Sequence, residues 1–77
     1  MPEILMYHKL GCPYCKKVRD FMKEKGITIA LKDINESIEI AEGLISIGGK
    51  RQVPCLVIDG KAMYESDEII KWLNENY

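Results

Sequence analysis

Several things are scarce in this 77-residue sequence, and each scarcity removes a class of protein. No apolar run is long enough to span a bilayer, and Met1-Pro2-Glu3-Ile4 does not have the make-up of a secretory signal. A soluble cytoplasmic protein is therefore expected, with no membrane among its partners. Neither sign of charge is in surplus: a net charge of −1 gives no footing for nucleic acid or for a membrane surface. Three cysteines are an odd number, which argues against a secreted domain stapled by disulfides. Internal repeats, low-complexity tracts and linkers are all missing. With 47% hydrophobic residues the chain has enough for a single core, so residues 1–77 are read as one domain.

What is present is concentrated at Cys12-Pro13-Tyr14-Cys15. The pair follows the apolar run Ile4-Leu5-Met6-Tyr7 and precedes a helical pattern, the setting of a thiol–disulfide redox site. Pro13 suits a first helical turn, where its missing N–H costs nothing. Cys12 then lies at the helix N-terminus, where unpaired N–H groups and the macrodipole favour an anion. That anion is the thiolate, the form that attacks a disulfide. Cys15 is one turn further on, close and less exposed. Cys12 is expected as nucleophile and Cys15 as resolving thiol. The competing reading of a C-x-x-C is half of a zinc site. Only Cys12, Cys15, Cys55 and His8 are available as ligands, and Pro-Tyr is not the usual small filler of a zinc knuckle. No metal is expected.

Periodicity supplies the surroundings. Glu3 to Tyr7 reads as a buried strand, with His8 exposed at its end. Pro13 to Lys25 reads as a helix burying Cys15, Val18, Phe21 and Met22, stopped by Gly26. Ile27, Ile29 and Leu31 alternate with polar or small residues as a second strand. Asp33 or Asn35 is the expected cap of a second helix carrying Ile38, Ala41 and Ile45, flanked by Ile40 and Leu44 and ended by Gly48-Gly49. Cys55 to Ile58 is a third strand. Asp59-Gly60 signals a tight hairpin, so Lys61 to Tyr64 returns antiparallel. Ser66 is the expected cap of a last helix bearing Ile69, Ile70, Leu73 and Tyr77. The order β-α-β-α-β-β-α predicts an α/β protein: a four-stranded mixed sheet, its first two strands parallel, with three helices on two faces. This matches the thioredoxin-like class.

Beyond the fold, the sequence resembles the glutaredoxins over essentially its whole length. The matching residues are Tyr7-His8-Lys9, Cys12-Pro13-Tyr14-Cys15, Gly49-Lys50-Arg51-Gln52-Val53-Pro54, Asp59-Gly60 and Glu65-Ser66-Asp67. Cys-Pro-Tyr-Cys is the signature of the dithiol members. The resemblance implies a glutathione-dependent oxidoreductase reducing protein disulfides and glutathione mixed disulfides. It implies a monomer using glutathione as reductant, with no tightly bound cofactor. It also implies a cis-proline loop at Val53-Pro54, whose backbone pairs with the bound thiol. Lys9, with Arg51 or Gln52, would meet the glycine carboxylate of glutathione. Pro13 and Tyr14 would flank the sulfur, and Ser66 and Asp67 would hold the γ-glutamyl end. The sequence departs from many glutaredoxins in having Gln52 where they have Thr before Val-Pro, and Tyr64-Glu65 in place of Gly-Gly. Glu65-Ser66 is instead similar to the glutathione site of glutathione transferases, which share the fold. Cys55, next to Pro54, is expected near the redox pair, as a buried hydrophobe or as a third redox-active thiol. Two further readings of the same motif are a redoxin reduced by thioredoxin reductase and a protein holding a [2Fe–2S] cluster between two protomers.

Overall fold

The computed structural model describes residues 4–77. Four strands, β1 (Ile4–His8), β2 (Ala30–Asp33), β3 (Cys55–Ile58) and β4 (Lys61–Met63), form one sheet in the order β2-β1-β3-β4. Helices α1 (Pro13–Lys25), α2 (Ile38–Gly48) and α3 (Ser66–Asn76) complete the chain. β1 is parallel to β2 and antiparallel to β3, and β3 is antiparallel to β4. The expected Glu3 lies outside the described residues, and the strand extends one residue further, to His8.

Two cores sit on opposite faces of the sheet. Met6, Val18, Met22, Leu56, Ile69 and Leu73 form the layer under α1 and α3. Tyr7, Ile34, Ala41, Leu44, Cys55 and Val57 form the layer against α2. β3 lies inside the sheet and feeds both layers, which is why its sequence is apolar without alternation.

Helix α1 follows its sequence closely. Pro13 opens it, and Gly26 closes it in the left-handed region at φ 71°. The Gly26 N–H bonds to Lys23 O and the Ile27 N–H to Met22 O, so the last carbonyls are satisfied. The Asp59-Gly60 turn has φ of 50° and 83°, the positive pair that a two-residue hairpin needs.

Elsewhere the structure corrects the expectation. β2 begins only at Ala30, because Ile27 and Ile29 are drawn into the α1–α3 layer before pairing starts. Leu31 stays largely exposed at the open edge of the sheet. Helix α2 is capped by Ser37, whose Oγ accepts the Ile40 N–H at 3.2 Å. Asp33 instead accepts the Asn35 N–H in the preceding turn. The face of α2 is rotated from the expected one: Ala41 and Leu44 are buried, whereas Ile38 is 75% exposed and Ile45 42%. Isoleucines lie nearly all round this helix, so spacing alone could not choose its inner side. At α3, Glu65 is the cap residue and Ser66 is the first helical residue, with no side-chain cap bond. Tyr77 is exposed, edge-on to Trp72 with ring centroids 6.2 Å apart. Finally, His8 is buried, not exposed. It shares the strand phase of Ile4 and Met6, so it points toward α1.

Candidate active site

The register of β1 on β3 pairs Tyr7 with Cys55, so the loop ahead of Cys55 lies level with the chain leaving β1. That brings Val53-Pro54 to the same end of the sheet as Cys12. The Val53–Pro54 peptide bond is cis. Between this loop and the start of α3 runs a cleft of about 310 Å³. Tyr14, Gln52, Val53, Pro54, Ser66 and Asp67 line it together with Tyr64 and Glu65. Six residues expected at the site, drawn from three separate stretches of sequence, thus share one cavity.

Cys12 is the N-cap residue of α1. It is 8% exposed and Cys15 is wholly buried, the order expected of an attacking and a resolving thiol. Burial by itself would raise the Cys12 pKa. The Cys15 backbone N–H, the Cys15 thiol and the Tyr14 N–H donate to its sulfur, and Lys9 adds a nearby positive charge, so the net result is a lowered value. Cys15 goes the other way, pushed up to about 11 by burial and by its contact with Cys12, against a bond from the Lys9 N–H and the charge of Arg19. The two thiols of one motif are thereby shifted in opposite directions, with Cys12 the readier to form a thiolate, which is what an asymmetric exchange reaction requires.

The remaining expected residues are distributed as follows. Pro13 and Cys12 itself line a second, smaller cavity with Gly11, Lys16 and Arg19, rather than the cleft. Lys9 is exposed beside Cys12. Arg51 is turned away from the cleft into a groove at the start of α2, among Ile34, Ser37 and Glu42, while its neighbour Gln52 enters the cleft. Asp67 is already engaged by a cation, the Lys17 Nζ at 2.5 Å. Cys55 is buried on the α2 face of the sheet, opposite the α1 layer, with Tyr64 as its side-chain partner and its pKa raised by burial. Its neighbours are the α2 layer, with Met63 and Tyr64 as its hydrogen-bond partners, and neither Cys12 nor Cys15 is among them. Among the described residues no three of His, Cys, Asp and Glu converge on a common point.

Spacing did not single out Tyr64, Lys17 or the His8–Arg19 contact. Tyr64 is held over the cleft by donating to Lys50 O at 2.9 Å, with the Lys50 ammonium 4.6 Å from its ring centroid. A signal for His8 did exist, since its phase matched the inward residues of β1. Lys17 and Asp67 are 50 residues apart and carried none.

A mixed sheet in this order, covered on both faces, with a C-x-x-C at the first helix and a cis-proline loop level with it, defines a thioredoxin-like fold. The Glutaredoxin family model matches residues 4–63. Glutaredoxin-1 of Saccharomyces cerevisiae is 31% identical over 74 residues, covering 87% of this chain and 67% of the yeast protein. The solved structure of a glutaredoxin from Archaeoglobus fulgidus is similar with a TM-score of 0.76 and 26% identity, covering 95% of this chain and 87% of that one. Glutathione transferase Omega 3C from Trametes versicolor superposes with a TM-score of 0.82 and 29% identity, over 95% of this chain and 33% of the transferase. The chain belongs to the glutaredoxin family of thiol–disulfide oxidoreductases.

Proposed function

We propose that this protein is a glutathione-dependent reductant of protein disulfides and glutathione mixed disulfides, with Cys12 as nucleophile and Cys15 as resolving thiol. The observation that carries the reading is a thiol of lowered pKa at the start of α1, two residues before Tyr14, which lines a cleft that ends in an acidic helix start.

Glutathione has two carboxylates, one ammonium and one sulfur, and the cleft offers a partner for each. Unpaired N–H groups at Ser66 and Asp67 in the first turn of α3 suit the α-carboxylate of the γ-glutamyl end. The Asp67 carboxylate suits the adjacent ammonium, and its pairing with the Lys17 amine is a measure of that capacity. The Val53 N–H and C=O suit the cysteinyl backbone in the manner of an added strand. Tyr14 and Pro13 flank the sulfur. Lys9 and Gln52 serve the glycine carboxylate, and Arg51, turned into the α2 groove, is left out of this role.

The reaction then runs in two exchanges. The Cys12 thiolate attacks the glutathione sulfur of a mixed disulfide; the protein thiolate leaves, and Cys12 carries glutathione. A second glutathione thiolate attacks the glutathione sulfur on Cys12 and releases glutathione disulfide. With a protein disulfide as substrate, Cys12 is joined to the protein, and Cys15 displaces it.

Turnover of a glutathione mixed disulfide, coupled to glutathione reductase, tests the proposal in the wild type, Cys12→Ser and Cys15→Ser. Activity that survives in Cys15→Ser and disappears in Cys12→Ser is expected. An inactive wild type that accepts electrons from thioredoxin reductase would sink glutathione dependence and leave the dithiol chemistry standing.

A further inference from the structure

A partly buried cluster at the end of β1 and on α1 takes no part in the cleft. His8 is 7% exposed at the end of β1, and its Nδ1 lies 2.8 Å from Arg19 Nη1. A guanidinium can only donate, so Nδ1 is the acceptor and the ring proton sits on Nε2. The same Nη1 reaches the Lys9 carbonyl at 3.4 Å. On the other side of Lys9, its N–H bonds to the Cys15 sulfur. Arg19 follows Cys15 by four positions, so the two side chains share one face of α1. The cluster therefore runs from His8 through Arg19 to the Lys9 carbonyl and, across the Lys9 α-carbon, from the Lys9 N–H to the Cys15 thiol.

We propose that Arg19, anchored by His8, is a positioning residue for the resolving step, holding its charge and the Lys9 peptide against Cys15 while Cys15 attacks. This rests on Cys15 being the resolving thiol. In that step the Cys15 thiol gives its proton to water, and its thiolate attacks the Cys12 sulfur of the mixed disulfide. The Cys12–Cys15 bond forms, the bond from Cys12 to the substrate sulfur breaks, and the substrate leaves as a thiolate that takes up a proton. No other oxidant or reductant is needed.

Cys12 itself times the step, and the cluster acts once Cys12 is bonded. While Cys12 is free, its hydrogen bond and its charge help to keep Cys15 protonated, in addition to burial. Once the Cys12 sulfur is tied into a disulfide, both of those influences end. Burial is then opposed by the Lys9 N–H and the Arg19 charge. Facing His8 are Arg19 from α1 and Asp33, its register partner in β2. Burial, and then the Arg19 charge, lower the ring's pKa against the opposing Asp33 charge, so it stays a neutral acceptor at and above neutral pH.

Single-turnover reaction of the reduced protein with one equivalent of 2,2′-dithiodipyridine separates the two thiols. The first thiopyridone released reports Cys12 and the second reports attack by Cys15. In Arg19→Gln the second phase is expected to slow about threefold or more at neutral pH relative to the first. Fewer Cys15 thiolates outweigh their greater nucleophilicity. The pH midpoint of that phase is expected to move up. Arg19→Lys and His8→Asn, which keep the charge and the acceptor, should retain most of the wild-type rate; His8→Val should behave like Arg19→Gln. Lys23→Gln, the same charge change on the exposed side of α1, should have no effect. If Arg19→Gln leaves the second phase and its midpoint at wild-type values, the proposal is wrong. It is equally wrong if the conservative variants fare no better than the disruptive ones, since the cluster would then be structural only. A wild type with no second phase would overturn the assignment of Cys15 and this proposal with it.

Discussion

Cys12 and Cys15 are one helical turn apart, yet their thiols titrate in opposite directions, and the cause is local. Cys12 collects N–H donors at the start of α1, whereas Cys15 is enclosed by protein. Alkylation of Cys12 by iodoacetamide should therefore remain fast below the ordinary thiol value of 9.0 and fall only as pH drops through its own lower pKa. Mass spectrometry of the Cys12 peptide over a pH series reads this directly. A depressed acid of this kind stabilises the fold above the unfolded value, and that contribution is lost as pH falls through the folded value. His8 has a lowered pKa too, but as a base its sign is reversed. Above its ordinary value of 6.5 it is neutral in both states and contributes no pH dependence. Below 6.5 the unfolded chain binds a proton that the folded chain refuses, so stability falls until the folded pKa is reached. Urea midpoints at about pH 7.5 and about pH 5.5 should show a smaller drop in His8→Asn than in the wild type.

Elements owe their ends to single residues. Ser37 closes the start of α2, and Ser37→Ala should cost about 1 kcal/mol, read as a lower urea midpoint at unchanged slope. At the other end of α2, Gly48 lies against Tyr64, and a Cβ there would overlap the Tyr64 hydroxyl and ring. Tyr64 is a wall of the cleft, so Gly48→Ala displaces that wall. It should raise KM for a glutathione mixed disulfide more than it lowers kcat, while Ser37→Ala changes stability alone. The comparison separates loss of helix stability from loss of cleft shape.

For the molecule as a whole, stability and recognition are carried by different groups. Leu56 sits fully buried on the central strand β3, in the layer shared by α1 and α3. Leu56→Ala should cost about 2–5 kcal/mol, a large share of the about 5–15 kcal/mol that a small domain possesses. Thermal unfolding followed by circular dichroism checks it. Asp67 joins α3 to α1 through Lys17, but both side chains are mostly exposed, so the pair is worth at most about 1 kcal/mol. Asp67→Asn should leave the unfolding midpoint nearly unchanged and raise KM for glutathione substrates. A stability loss as large as that of Leu56→Ala would contradict the division.

Local chemistry was legible from the sequence alone. Pro13 and Gly26 bound α1, Asp59-Gly60 turns the hairpin, and the apolar run of β3 is continuous, because each reflects backbone sterics or burial on both faces. The cysteine pair announced itself for the same reason, being four consecutive residues at a helix start. Periodicity failed where several faces were equally apolar, as in α2, or where an apolar segment packs without pairing, as at Ile27 and Ile29. Only the tertiary structure decided which expected residues meet. It turned Gln52 into the cleft and Arg51 away from it, sent Cys55 to the far side of the sheet, and buried His8 against Arg19. Those outcomes depend on strand order, register and helix rotation, which arise from contacts between separate elements; the phase of His8 apart, such contacts leave no spacing to read.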